Sequence, residues 1–385
     1  MQDCCGKSAR TALVIAARAP GRKAKQAGHR TCARNIIELC QTYQVDLFIV
    51  CKASEDFSDI DYFRQICRSV TIRTISNAEG LWNIIRQPRL PLQISARYST
   101  PIQADLKAFA QSHYDLTHFE WTETTVYAGT VMADRQQAFC YDVLTEVLQR
   151  RVHGSWLHRL FWASQKAKAQ TFELTALSKL DRIFVHTQED IDDLFSFGVP
   201  REKLKVVLPE FYASEATAHT LASPPYRLTM WGAYGRSENQ FAARFLIDEV
   251  LPKLPPGQFT AVIAGSQSDK FFANSDTVRV TGFVSSVQDV FDNSDIAVIP
   301  LFHGSGLKVK VLESLYAGVP VVTTDVGYEG FDGGENDGIY LAQTADAFAQ
   351  QILRLTSDPE AYRQASLSAA RWARRFVSQG TNSVV

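Results

Sequence analysis

Short apolar runs recur along the chain, and stretches with helical spacing separate most of them. Residues 11–17 (TALVIAA) and 45–51 (VDLFIVC) are β-rich, and between them 29–44 places Ala33, Ile36, Ile37 and Cys40 at helical intervals. That combination predicts a βαβ unit. The theme returns as strands at 70–75, 116–121, 138–144 and 181–187, and strands alternating with helices predict a parallel sheet covered on both faces. At 209–226 the pattern lapses into PEFYASEATAHTLASPPY, a polar, proline-containing run that suits a linker. A second series follows: strands at 227–233, 259–265, 278–283, 295–301 and 319–324, with helices over 239–252 and 307–317. The expected architecture is α/β, with two doubly wound Rossmann-like domains at 1–208 and 227–370. A helix and tail at 371–385 are expected to pack back on the first domain. The ligand site is expected in the cleft facing the carboxyl ends of the strands.

Composition adds limits. The 385 residues exceed one ordinary core, and 45% apolar with 21% charged residues excludes a disordered chain. Forty basic against 41 acidic side chains provides no field for holding nucleic acid. The seven cysteines all precede residue 141 and include no CxxC pair, so they read as free thiols in a reducing compartment. No run reaches the length of a membrane span or a signal sequence, and a cytoplasmic location is expected.

The most informative segment is 299–330, IPLFHGSGLKVKVLESLYAGVPVVTTDVGYEG. A strand leads into a glycine-rich turn, Gly304, Ser305 and Gly306, and then into a helix. Glycines there permit close backbone approach, and the unpaired N–H groups of a first helical turn favour an anion such as a diphosphate. Lys308 and Lys310 stand where the helix dipole disfavours cations, and a bound anion accounts for both. Glu313 follows at a spacing that lets its oxygens accept the two hydroxyls of a ribose. A helix-start glycine loop with solvated lysines and a surface glutamate fits the same spacing.

Residues 147–172 hold Arg150, Arg151, Arg159, Lys166 and Lys168 without one acid, interleaved with Trp156, Leu157, Leu160, Phe161 and Trp162. A basic amphipathic helix with aromatics suits peripheral contact with an anionic membrane. Burial of the aromatic side in the domain core is the competing reading.

The stretch from Gly304 through Leu307 to Thr324, followed by Gly327 and Glu329–Gly330, resembles the donor-binding segment of GT-B glycosyltransferases, in particular the retaining enzymes of glycosyltransferase family 4. The likeness extends upstream through WGAYGRSENQFAARFLIDEVLP, VIAGS and VTGFVSSVQDVFDNSDIAVIPL, and downstream to RWARRF. It implies a GT-B fold and transfer of a hexosyl group from a nucleotide sugar, with retention and without a metal or other cofactor. Glu313 matches the second glutamate of the family's E-x7-E pair, which binds the donor ribose; Ser305 stands at the first. Gly235, Arg236 and Asn239 match the phosphate-contacting loop, with Lys308 and Lys310 supplying the charge of its missing lysine. Gly282 and Phe283 match the main-chain contact to the nucleotide base.

In the first domain the resemblance points to Gly28 as a close-approach glycine with Arg30 opening the helix. It also points to Tyr141 and Asp142 at a strand end facing the donor sugar. An ordinary loop glycine with a solvated arginine, and a helix N-cap for Asp142, remain open, and His118 and Glu120 are weaker candidates. The catalytic set is therefore Asp142, Tyr141, Arg236 and Lys310. The partners are a nucleotide sugar and a glycan or lipid-linked acceptor, in surface polysaccharide or glycoconjugate synthesis. A nucleotide-sugar epimerase and a non-catalytic nucleotide-sugar-binding subunit are the alternatives.

Overall fold

Apolar side chains that alternate across a strand must be covered on both faces, and two separate cores do this for the first sheet. Val14, Ile36, Leu39, Ile49 and Phe63 pack on one side; Leu13, Ile15, Phe48, Val50 and Ile183 pack on the other. The computed structural model describes residues 10–24, 26–109, 113–152, 155–209, 219–284, 286–304, 306–379 and 383–385. These fall into two compact units, one within Met1–Glu210 with Thr381–Val385, the other within Phe211–Gly380.

Unit 1 contains β1 (Thr11–Ala16), β2 (Gln44–Cys51), β3 (Ser69–Thr74), β4 (Tyr114–Glu120), β5 (Ala133–Phe139), β6 (Arg182–Val185) and β7 (Leu204–Val206). All pair in parallel, in the order β3-β2-β1-β4-β5-β6-β7. Its helices are α1 (Ala27–Thr42), α2 (Ile60–Ile66), α3 (Asn77–Arg86), α4 (Leu92–Ser95), α5 (Thr100–Phe109), α6 (Leu144–Gln149), α7 (Trp156–Leu177) and α8 (Gln188–Ser196). Strand order reverses between β1 and β4, where ligands of open parallel sheets gather.

Unit 2 contains β8 (Tyr226–Trp231), β9 (Phe259–Ala264), β10 (Val278–Gly282), β11 (Ile296–Ile299), β12 (Val321–Thr323) and β13 (Ile339–Leu341), in the parallel order β10-β9-β8-β11-β12-β13. Its helices are α9 (Ser237–Arg244), α10 (Ser268–Phe271), α11 (Val287–Phe291), α12 (Val309–Tyr316), α13 (Asp325–Tyr328), α14 (Ala345–Ser357) and α15 (Pro359–Gln379). The switch point here lies between β8 and β11.

Local differences from the sequence pattern have physical causes. The strand expected at 138–144 ends at Phe139, so Tyr141 and Asp142 stand in the turn beyond it. The helix expected over 239–252 keeps α geometry to Arg244, then continues as a π turn, Phe245–Val250, and a tight turn, Leu251–Lys253. β7 and β13 have three residues each, too few for a period of two to register. Residue 370 falls inside α15, which runs unbroken, and Val384 is buried in the core of unit 1. Most of the expected linker, 210–218, lies outside the described residues. No helix among the described residues is long and apolar enough to cross a membrane.

Candidate donor site and the strand-end cluster of unit 1

In unit 2 the chain leaves β8 at Gly232, and two glycine backbones meet there. Gly265, at φ 122°, packs so closely that a Cβ on it would stand 2.1 Å from the Gly232 carbonyl oxygen. A Cβ on Gly232 would in turn meet Asn239 Nδ2 at 3.1 Å and Lys310 Nζ at 3.2 Å. Asn239, buried on α9, donates from Nδ2 to the Ala233 carbonyl at 2.8 Å and accepts at Oδ1 from Lys310 Nζ at 2.5 Å. Burial first, then the neighbouring Arg236, pulls the Lys310 ammonium down to about 7, against the attraction of Glu238.

The other two cations are already matched. Lys308, the N-cap residue of α12, is buried and donates to the Gly306 carbonyl at 2.5 Å and to Glu329 Oε2 at 3.1 Å. Arg236 is exposed and donates to Glu238 Oε1 at 2.5 Å. The reading of Lys308 as a solvated lysine is therefore overturned by its burial against Glu329. Glu313 has no exposed surface at all, which overturns the surface-glutamate reading.

Gly304 and Gly306 adopt φ of 131° and 69°, backbone that a β-carbon disfavours, and Leu307 beside them is buried. Ser305 lies outside the described residues. Gly235 is exposed, and the Gln267 amide lies 3.3 Å from where its Cβ would be. The main chain of Gly282 is committed elsewhere: its N–H donates to Ser268 Oγ at 3.0 Å and its carbonyl accepts from Gly265 at 2.9 Å. Both main-chain groups of Gly282 are thus engaged within the unit, and Phe283 beside it is 66% exposed.

In unit 1 Tyr141 is buried. Its hydroxyl donates to Glu120 Oε2 at 2.6 Å and its ring stacks on Trp121 with centroids 4.4 Å apart. Burial and the adjacent Glu120 push its phenol well above the ordinary range. The Glu120 carboxylate is fully buried; its Oε1 also accepts from Asn35 Nδ2 at 2.9 Å and lies 2.9 Å from His118 Nε2. A Cβ on Gly28 would lie 3.5 Å from the Tyr141 ring and 3.6 Å from Trp121. Gly28 lies in the first turn of α1, in ordinary contact with these rings. Arg30 is buried, with Nη1 donating to the Ala24 carbonyl at 3.1 Å, so the solvated alternative falls.

Asp142 is exposed and is not the N-cap of α6, a place taken by Val143. The capping acceptor is Glu173 of α7, which takes the Leu144 and Thr145 N–H groups at 2.6 and 3.0 Å and the Thr145 hydroxyl at 2.5 Å. Burial raises the Glu173 carboxyl to about 7.

Residues 226–358 match the family model of the group 1 glycosyl transferases. No curated protein sequence matches the chain. Among solved structures the chain is similar to Anabaena HepE in complex with UDP, at TM-score 0.64 and 14% identity over 95% of both chains. It is similar to sucrose-phosphate synthase from Thermosynechococcus elongatus, at TM-score 0.63 and 15% identity over 95% of this chain and 94% of that one. It is also similar to WaaG, a glycosyltransferase involved in lipopolysaccharide biosynthesis, at TM-score 0.57 and 13% identity over 96% of both. The fold is GT-B.

In this GT-B chain the family match lies within the unit that brings Asn239 and Lys310 together. Sequence reasoning missed Gln267, whose φ of 65° is left-handed and whose amide covers the Gly235 loop. It also missed Glu329 as the partner of Lys308. Gln267 leaves no signal in the chain; Glu329 stood in the quoted motif without an assigned partner.

Proposed function

We propose that the chain transfers a glycosyl group, of hexosyl type, from a nucleoside diphosphate sugar to a hydroxyl acceptor, as a retaining enzyme similar to glycosyltransferase family 4. The observation that carries the reading is a coincidence within residues 226–358. The segment matching the group 1 glycosyl transferases is the one that sets Lys310 and Asn239 beside paired glycine backbones at the switch point of the sheet. There the α12 N-terminus and Lys310 would neutralise the departing diphosphate without a metal. Glu313 would take the ribose, and Asp142 and Tyr141 would serve the acceptor side. The HepE complexes with UDP and UDP-glucose direct the first donor tested to uridine diphosphate sugars. The WaaG likeness supports a role in surface polysaccharide or glycoconjugate synthesis; the location in this reading is the cytoplasm, and the acceptor a glycan or a lipid-linked one.

The reading includes peripheral contact with an anionic membrane through 147–172. Trp156, Leu157, Leu160 and Phe161 are 71, 60, 63 and 47% exposed, which removes the competing reading of that side as domain core.

The test is release of free nucleoside diphosphate from a panel of nucleotide sugars, with and without acceptor and with a chelator present. Acceptor-dependent release in chelator supports the proposal. Sugar interconversion without release would make the protein an epimerase, and binding with neither would make it a non-catalytic subunit.

A further inference from the structure

Helix α3 of unit 1 is inside out. Its buried residues are Gly80 and Asn83, whereas Leu81, Trp82 and Ile85 are 61, 52 and 62% exposed. A helix in water ordinarily turns its apolar stripe inward. The polar Asn83 instead faces in, its Nδ2 donating to the Ala96 carbonyl at 3.5 Å.

Beneath this helix, at the carboxyl ends of β2 and β3, lies a cavity of about 290 Å³. Ile75, Leu81, Ile84 and Ala96 supply apolar walls, and Lys52 and Arg97 are the two charged residues of its lining, with no acid among them. Arg97 is occupied: its Nη1 donates to the Ala17 and Val50 carbonyls at 2.9 and 3.2 Å, and its Nε lies 3.9 Å from Glu123. Lys52 is exposed and has no ion pair among the described residues. Arg86, whose guanidinium lies 4.8 Å from the Trp82 ring centroid, is the last residue of the helix, and Arg89 follows in the turn beyond it; both are exposed.

An apolar slot that opens beside an unmatched ammonium, on a helix with its apolar face outward and cations at its end, is complementary to one kind of molecule. We propose that this cavity takes the acyl chain of an anionic phospholipid, with the lipid phosphate on Lys52 and with Leu81, Trp82 and Ile85 in the apolar layer of the bilayer. Leu81 belongs to both surfaces, lining the cavity and standing exposed. A hydrogen bond from the Leu92 N–H of α4 to Gln165 Oε1 of α7, at 3.1 Å, ties this region to the helix whose first turns expose Trp156 and Phe161. The two apolar surfaces are thus parts of one unit. The inference rests on unit 1 and not on glycosyl transfer, so the two can fail separately.

The full chain is titrated with dodecyl phosphate below its micellar concentration, with dodecyl maltoside and inorganic phosphate as controls, and followed by thermal stabilisation. Dodecyl phosphate alone is expected to stabilise the protein. Lys52→Ala should weaken its binding about tenfold or more, as loss of a charge-assisted contact does, and Leu81→Asp should abolish it. Ile85→Ser, outside the cavity lining, should keep dodecyl phosphate affinity within about twofold while reducing retention on phosphatidylglycerol vesicles. Circular dichroism of each variant reports the fold. Equal stabilisation of wild type, Lys52→Ala and Leu81→Asp overturns the site, as does stabilisation by dodecyl maltoside as strong as by the phosphate. Retention on phosphatidylcholine equal to that on phosphatidylglycerol overturns the anionic specificity.

Discussion

Lys310 and Asn239 are joined across 71 positions of sequence, Nζ donating to Oδ1 at 2.5 Å, so the cation of α12 is held by a neutral amide of α9. A cation matched by a carboxylate gains little from an anionic ligand, whereas this one still has its charge to match. Its lowered ammonium makes the consequence dependent on pH.

Because burial brings Lys310 down to about 7, the charged form that a diphosphate prefers is lost as pH rises through that value. Diphosphate affinity should therefore fall above about pH 7. Binding at pH 8 should take up a proton, seen calorimetrically as a heat that scales with buffer ionisation enthalpy. Lys310→Arg should flatten the profile, and Lys310→Met should lower turnover on the order of 10²-fold. A flat wild-type profile with no proton uptake removes Lys310 from the site.

Glu313→Gln keeps the volume of a fully buried side chain and removes its charge. It should weaken donor binding by roughly 1.5–3 kcal/mol with the fold intact. Equilibrium binding of the nucleotide sugar, with circular dichroism as a control, decides it. Undiminished affinity would leave the ribose to another residue.

Glu173 carries a sign that can be checked. Its carboxyl is raised to about 7, so between the ordinary carboxyl range and that value the folded state holds a proton that the unfolded state has released. Stability from this group is complete below the unfolded value and declines as pH rises towards 7. Asp190, raised by burial to the same value, adds in the same direction. In Glu173→Gln the slope of unfolding free energy against pH should shrink by up to one proton, and Glu173→Ala should cost about 1–3 kcal/mol by stranding the Leu144 and Thr145 N–H groups. Urea unfolding from pH 4.5 to 7.5 measures both.

For α7, wild type should float with anionic and not with neutral vesicles, and retention should fall with salt as exposed charges are screened over about 8–10 Å. Serine at Arg150, Arg151 and Arg159 should release it. Trp156→Ser should leave the melting temperature nearly unchanged, since that ring is 71% exposed. A triple variant that floats like wild type would end the membrane reading of 147–172.

By itself the sequence determined the elements whose pattern is local. Parallel strands covered on both faces favour largely apolar runs, so β1, β2, β9 and β11 were legible, and with them the two α/β series; the GT-B resemblance was legible in the glycine-rich segment that follows β11. Gly304 and Gly306 were legible because a positive φ leaves few other residues. Tertiary structure decided what depends on partners far along the chain. β7 and β13 exist because β6 and β12 offer them hydrogen bonds. Glu173 displaces Asp142 as the capping acceptor of α6 because α7 folds back against it. Periodicity placed Trp156, Leu157, Leu160 and Phe161 on one side of a helix, but the surroundings of that side are set by packing, which left it in the open. Packing likewise turned the apolar stripe of α3 outward, since a helix face carries no information about what stands opposite it until the rest of the unit has folded.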